Sequence, residues 1–507
     1  MSGGLVENIA LGFSVALSPT GLMFCLAGVS LGMVVGVLPG IGTLAAIAML
    51  LPLTYKLDPA AALIMLAGIY YGAAYGGSIT AILLNLPGTA NTAVAALDGY
   101  PMTRQGRAGV ALLLTTIASF AGSILGLLVL ALGAPLLAGV ALRFGSPEYF
   151  SLLVLGLVCA ALLSSGKPLR MLAMVVLGLL IGTVGIDPSS GFNRLTFGLP
   201  SLFDGFNLVA VVLGLFGLPE VIRNAGSIQG GMVRARDITW RTMLPSRDDW
   251  RRTPGPILRG TGVGGFFGAL PGTGGTVATF VAYAIEKRVN RQPERFGDGA
   301  VEGVVAPEAA NNAAIQTAFI PTLTLGIPGD VVMALILATL IIHGIQPGPA
   351  MLSAHPQIFW GLAASFLVGN LLLLVLNLPL IGLWVRLVSL PYRFLYPVIV
   401  VLVCIGVYSI SNTVFDVWLV VVFGAIGYFM TLLRCEPAPL LLGLILGPLL
   451  EEHLRRAMLI GRGDPMVFLN RPLSAIFLAI AALMVLWLVV AAFRAARRNR
   501  RGGIMPG

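Results

Sequence analysis

Charge is scarce in this 507-residue chain: Asp, Glu, Lys and Arg make up only 10% of it, against 57% hydrophobic residues. So few polar groups cannot cover a water-facing surface, which excludes an ordinary soluble domain and makes hydrocarbon the main solvent. Histidine is reduced to three scattered residues, His343, His355 and His453, and no nucleophile elbow, HExxH, P-loop or GxGxxG-plus-acid unit occurs. The chain therefore reads as a non-enzyme that needs no cofactor and does not itself hydrolyse ATP. The four cysteines, Cys25, Cys159, Cys404 and Cys435, lie far apart in or beside apolar runs. They lack the close pairing of zinc or redox motifs and read as packing residues.

Long polar stretches are missing as well. The longest, Arg223–Arg259, has 37 residues and reads as a loop, so no soluble domain fits between the apolar runs. A basic n-region is also absent, since the first Lys or Arg is Lys56; no signal peptide is expected, and the N-terminus is expected to stay on the mature protein. The formal charge of +10 does not argue for nucleic acid, because the arginines fall in membrane-flanking loops and in the tail "RAARRNRR" at 494–501.

What is present is a series of apolar runs: Ala111–Pro135, Tyr149–Leu163, Leu169–Gly185, Phe206–Leu218, Ile358–Val385, Val398–Ser409, Trp418–Leu433 and Leu473–Phe493. With the interrupted segments added, roughly ten to thirteen passes satisfy a ~20-residue spanning criterion. The expected fold is an all-α polytopic membrane protein of about twelve transmembrane helices, with two internal repeats that contain broken or re-entrant helices. The chain divides into an N-terminal interfacial segment (1–20), a first transmembrane half (21–222), a basic loop (223–259), a second half (260–472), a last span (473–493) and a basic tail (494–507).

Loop 223–259 carries eight arginines against three aspartates, which marks it as cytoplasmic. "EKRVNRQPERFGD" at 286–298 is basic too, and only residues 260–285 separate the two. With both flanks on one side, that stretch is a re-entrant hairpin with LPGTGG at its tip. Each arm of about 12 residues reaches roughly 18 Å, about half the bilayer. Arg455, Arg456, Arg462 and Arg471 precede the last span and the basic tail follows it, so one basic group faces outward; a cytoplasmic tail is favoured.

"FFGALPGTGGTVATF" at 266–280 echoes "VVGVLPGIGTLAAIA" at 34–48. A shift of 232 superposes Gly28, Gly32, Gly36, Leu38, Pro39, Gly40 and Gly42 on Gly260, Gly264, Gly268, Leu270, Pro271, Gly272 and Gly274. Glycines spaced by four bring helix backbones together, and Leu-Pro-Gly ends the helix. A second pair appears at an offset of 241, where Pro87-Gly88 in "LLNLPGTANT" matches Pro328-Gly329 in "TLGIPGDVVM". The repeats thus hold motifs at 28–43 and 71–102 in the first half and at 260–276 and 306–349 in the second. Corresponding broken helices in two halves point to a transporter's central site. The competing reading is a channel or membrane scaffold in which the Gly/Pro breaks are only packing kinks.

Each restarted helix offers free N–H groups to a carboxylate, and each half-helix that ends offers carbonyls to a small cation. The candidate substrate-binding residues are Gly40, Gly42, Thr43, Ser78, Asn85, Gly88 and Thr89 in the first half. In the second they are Gly272, Thr273, Gly274, Thr276, Asn311, Asn312 and Gly329. Candidate cation-coupling residues are Asn85, Thr324, Asp330 and Glu308. The two acids are read as binding Na⁺ or carrying a proton, or else as ordinary N-cap or first-turn carboxylates. For any single Ser or Thr, a bond to its own helix carbonyl competes with ligand contact. Asp98 in "LDGYPMTRQGRAG" reads as a loop turn ahead of a helix.

"GVLPGIG", "YGGSITAILLNLPGT", "DGYPMTRQGRAGVAL", "GALPGTGGT", "APEAANNAA", "PTLTLGIPGD" and "HGIQPGPAML" together resemble the large membrane subunit of the tripartite tricarboxylate transporters, the TctA family, over most of residues 20–450. The family's motifs fall on Gly36–Thr43, Tyr75–Thr89, Gly268–Thr276, Glu308–Asn312 and Pro321–Asp330. The resemblance implies a multi-pass permease of the bacterial inner membrane. Its partners would be a small four-span membrane subunit and a periplasmic solute-binding protein, and its cargo citrate or another carboxylate, driven by Na⁺ or H⁺. At Ile315-Gln316-Thr317 the family more often carries small residues such as Ala-Gly-Gly, and this departure argues against citrate itself and allows another carboxylate, an aromatic one included.

Overall fold

The computed structural model describes residues 4–38, 42–86, 89–163, 167–187, 190–225, 240–271, 274–388 and 392–502. Its first helices are α1 (Leu5–Ala16), α2 (Pro19–Val37), α3 (Thr43–Thr54), α4 (Pro59–Leu84), α5 (Ala93–Arg104) and α6 (Ala108–Ala141). There follow α7 (Ser146–Leu163), α8 (Pro168–Ile181) and a two-stranded antiparallel hairpin, β1 (Gly185–Ile186) with β2 (Asn193–Arg194). α9 (Leu208–Val212) and α10 (Leu218–Ala225) flank a π-helical turn, and α11 (Trp240–Met243) and α12 (Arg247–Arg252) are short. Next come α13 (Pro254–Gly268), α14 (Gly274–Val289), α15 (Val301–Leu325), α16 (Val331–Ile342), α17 (Met351–Ala354), α18 (Pro356–Asn377), α19 (Ile381–Val388), α20 (Tyr392–Ser411) and α21 (Val414–Leu432). The chain ends with α22 (Pro437–Ile460), α23 (Val467–Asn470) and α24 (Pro472–Gly502).

Among the described residues six helices are long and apolar enough to cross a bilayer: α2, α4, α6, α18, α21 and the Pro472–Val490 part of α24. Four shorter apolar helices, α1, α7, α8 and α16, join them. Fewer full spans appear than the apolar runs suggested: α3, α13, α14 and α16 are pieces of 12, 15, 16 and 12 residues beside the breaks, and α8, away from them, has only 14. The basic loop is also partly helical: α11 and α12 lie within it, and α13 begins at Pro254.

Two compact units emerge, one from 1–142 with 207–429 and the other from 143–206 with 430–507. In the second, α8 and α22 cross with backbones in contact: a methyl group at Gly178 would fall 2.0 Å from the Leu440 carbonyl oxygen, and one at Gly443 2.4 Å from that of Val175. Arg455 there bonds both Glu451 and Asp187, and Arg194 also reaches Glu451. The Arg194 guanidinium, helped by Arg455 and opposed by burial, sets the Glu451 carboxyl below the usual range.

In the first unit α4 is buried continuously from Ala61 to Leu83, and α15 at all 25 of its positions. A helix buried on every side belongs at a core, and each of these two has a glycine-faced partner. Gly28, Gly32 and Gly36 of α2 lie on Met65, Ile69 and Ala73 of α4. Gly260, Gly264 and Gly268 of α13 lie on Ala306, Ala310 and Ala314 of α15. A methyl group at any of the six would meet a carbonyl oxygen of the facing helix at 2.1–2.5 Å.

The breaks share backbone devices. α4 ends at Asn85 (φ 57°) and α15 at Gly326 (φ 69°), both left-handed C-caps. α3 follows Gly42 (φ 69°), and α14 starts at Gly274 (φ 65°). α13 and α14 pack side by side as a hairpin. Arg259 closes its open end with two 2.8 Å bonds to the buried Glu286 carboxylate, which raise the arginine's affinity for its proton.

Candidate functional site

The α13–α14 turn, the α15–α16 break and the start of α5 meet in the first unit. Gly274 N–H donates to the Gly329 carbonyl at 3.3 Å, which joins the first two. Thr276 of α14 donates its hydroxyl to Asn91, on the turn leading into α5. Gly275 permits the approach, because a methyl group there would lie 2.7 Å from Asn91 Nδ2 and 3.2 Å from Asn311 Oδ1. Asn311 of α15 is fully buried, and neither of its amide atoms has a partner among the described residues. Unpaired buried amides are costly, so these two atoms suit a polar ligand.

Asp330 stands at the same junction. It caps α16 by accepting Met333 N–H at 2.8 Å, as an N-cap carboxylate does, and also accepts the hydroxyl of Tyr70 from α4. Gly329 N–H donates to Thr322 Oγ1 at 3.3 Å. A methyl group on Gly274 would sit 3.3 Å from Asp330 Cβ.

A second polar cluster lies inside the helices. Glu308 is 1% exposed, with Ser78 Oγ 2.8 Å from its Oε1 and Ser119 Oγ 3.1 Å from its Oε2. It does not open a pass: it is the eighth residue of α15, which begins at Val301 and runs through Pro307. Asn312 turns its amide back to the Glu308 carbonyl at 3.0 Å. Nearby, Tyr75 donates to Asn370 at 3.3 Å.

The junction thus brings together Gly274, Thr276, Asn311, Gly329 and Asp330, while Ser78 and Glu308 form the inner cluster with Asn312 beside them. Thr43 is buried and Gly42 partly so at the start of α3. Thr324 bonds its own helix at Ile320, and Thr89 bonds Thr92. Asn85 is exposed and serves as a backbone cap. Gly40, Gly88, Gly272 and Thr273 lie outside the described residues. Gln316 and Thr317 face α6 and α13 at Gly126 and Gly268, within the helix packing.

Asp98 is a correction. It is no loop turn but a fully buried member of α5. Its Oδ1 accepts the N–H groups of Gly297, Gly299 and Ala300 at 2.8–2.9 Å, and its Oδ2 accepts Tyr283 Oη–H at 2.9 Å. The three amides converge on one oxygen because Gly297 and Gly299 both take positive φ. Tyr70 and Ser119 were not singled out by sequence reasoning. Their one signal is a hydroxyl placed inside an otherwise small or apolar helix. Among the described residues no three His, Cys, Asp or Glu side chains form a metal-binding group, and all four cysteines are free.

Comparison with known proteins agrees with this architecture. An uncharacterized 52.8 kDa protein in the TAR-I ttuC′ 3′ region of Agrobacterium vitis is 51% identical over 493 residues, covering 97% of this chain and 98% of that protein. An uncharacterized protein in the TAR-II ttuC′ 3′ region of the same organism is 53% identical over 234 residues, 46% of this chain and 97% of its own length. The family model for the tripartite tricarboxylate transporter TctA family matches residues 22–442, which include both break regions and both clusters, and the chain belongs to that family.

Proposed function

We propose that this chain is the large membrane subunit of a secondary active importer. It takes a carboxylate from a periplasmic solute-binding protein and carries it inward with a cation, Na⁺ or H⁺, beside a small four-span membrane subunit in the bacterial inner membrane. The carboxylate is held between the break tips of two internal repeats. The observation that carries this reading is the meeting of Gly274, Gly329, Thr276, Asn91 and Asp330 at one junction. Half-helix starts and buried amides supply donors for an anion without a fixed lysine or arginine.

The repeat reading has its own support. The glycine contacts of α2 on α4 recur in α13 on α15 at the offsets of 232 and 241. The left-handed positions recur likewise, Gly42 with Gly274 and Asn85 with Gly326. The glycines that face carbonyls serve packing, so the scaffold reading accounts for them; it does not account for Asn311, whose buried amide has no partner among the described residues.

The test is uptake of a labelled carboxylate panel into proteoliposomes. These hold the chain with its small partner subunit, with the binding protein outside and Na⁺ or H⁺ gradients imposed. Wild type accumulates one acid under a gradient, and Thr276→Val or Asn311→Ala abolishes accumulation while insertion stays normal. Full uptake by both variants would overturn the tip site, and no uptake of any acid by correctly inserted wild type would overturn the importer.

A further inference from the structure

Hydrogen-bond counting around Glu308 favours its neutral acid over the carboxylate. A serine hydroxyl has one proton to give and two lone pairs to receive with. Ser78 Oγ lies 3.1 Å from the Ala74 carbonyl and 2.8 Å from Glu308 Oε1, both acceptors if Glu308 is ionised. One proton cannot serve both, so the ionised acid leaves one of these contacts without a hydrogen. With the proton on Oε1, every contact has one: Glu308 donates to Ser78, Ser78 donates to Ala74, and Ser119 donates to Oε2 at 3.1 Å.

The surroundings agree. α4 and α6, the helices that supply Ser78 and Ser119, contain no Asp, Glu, Lys, Arg or His. α6 has no tyrosine or cysteine either, and of the three tyrosines of α4, Tyr70, Tyr71 and Tyr75, it is Tyr75 that interacts with Glu308. On the other elements packed against α15, Arg259 is engaged with Glu286, Arg252 with Asp248 and Glu302, Asp98 with backbone amides, Asp249 with Arg107, and Asp330 with Tyr70, while Arg104, Arg247, Arg251, Lys287 and Arg288 are exposed, away from the buried Glu308. Glu308 thus has no compensating cation among the described residues, and a buried carboxylate without one is held as the neutral acid.

We propose that Glu308 is the proton-binding group of the transport cycle, with Ser78 and Ser119 as its cradle, so that the coupling ion is H⁺ and is bound apart from the carboxylate site. This rests on the importer reading. The proton leaves Oε1 when a rearrangement of α4 against α15 exposes the carboxyl to water, and it is taken up again from the opposite side.

Infrared difference spectroscopy on the full chain reconstituted in lipid tests the assignment without transport. At neutral pH in sodium-free buffer, wild type minus Glu308→Gln should show the carbonyl band of a protonated carboxylic acid. Ser78→Ala, which removes its acceptor, should shift that band, and this variant decides the matter if Glu308→Gln fails to fold. Carboxylate bands alone, or conversion of the acid band to carboxylate bands on adding NaCl, would overturn the proposal, the latter in favour of a sodium site. In proteoliposomes with the partner subunit and binding protein, Glu308→Gln should lose accumulation of the labelled carboxylate driven by a pH gradient; unchanged accumulation would also overturn it. An acid band in a wild type that accumulates nothing under any gradient would overturn the importer reading and the transport role, leaving only the protonation of Glu308.

Discussion

Tyr70, in the middle of α4, donates its hydroxyl to the Asp330 carboxylate that caps α16, 260 residues further along the chain. One carboxylate thus holds both the start of α16 and a tie to α4. Tyr70→Phe removes only the tie and should cost about 1.5–3 kcal/mol, the range for a bond to a charged group. Asp330→Ala removes the cap as well and should cost about 1 kcal/mol more. Thermal-shift measurements on both variants and on the double variant check this. The double should be no less stable than Asp330→Ala alone, since the partners share one interaction.

Gly264→Ala forces a methyl group to 2.1 Å from the Ala310 carbonyl oxygen, so the α13–α15 pair must separate, at a cost of about 1–3 kcal/mol or more. Gly262→Ala, two residues away on the exposed side of the same helix, meets nothing within 4 Å. There the better helix propensity of alanine should stabilise by up to about 1 kcal/mol. Opposite changes in unfolding temperature are expected; equal ones would contradict the packing.

Asp98→Ala strands three buried or part-buried amides, each worth about 1–3 kcal/mol when unpaired. Hydrogen exchange at residues 297–300 should accelerate strongly in this variant and only slightly in Tyr283→Phe, which removes a single bond to the other oxygen.

The Asp249 carboxyl is raised by burial, but its bonds to Arg107 and Ser246 outweigh this and hold it below the usual range. A group depressed in the folded state contributes stability above the ordinary aspartate value of about 3.9, and that contribution is lost as pH falls through the folded value. Asp249→Asn should therefore lower stability at neutral pH and flatten its decline in strong acid. Unfolding temperature measured against pH for both forms tests this.

The sequence made the breaks legible because proline and glycine act locally: Leu38-Pro39 stops α2, and Gly326 stops α15 wherever the chain goes next. The spacing of the glycines foretold that α2 and α13 each approach another helix closely, while the partners, α4 and α15, came from the fold. Asp98 and Tyr70 were opaque because their partners lie about 200 residues or more away, and nothing near them in the chain marks the meeting. Glu308 was misplaced by Pro307, which signals a helix start but here sits within the second turn of one. Ser119 hid in an apolar run, since a lone hydroxyl is satisfied by its own helix unless a carboxylate faces it.

Helices whose main chains touch have no layer of side chains between them to slide. α2 with α4, and α13 with α15, are therefore two welded plates, each able to tilt but not to shear internally. Between plates the named ties are hydroxyl to carboxylate, Ser78 to Glu308, together with Tyr70 from α4 to the α16 cap. Ties of that kind are remade after a displacement at little cost, whereas a repacked core is not. On the importer reading, the displacement that carries cargo follows these hydroxyl ties, and the glycine contacts mark where it does not run.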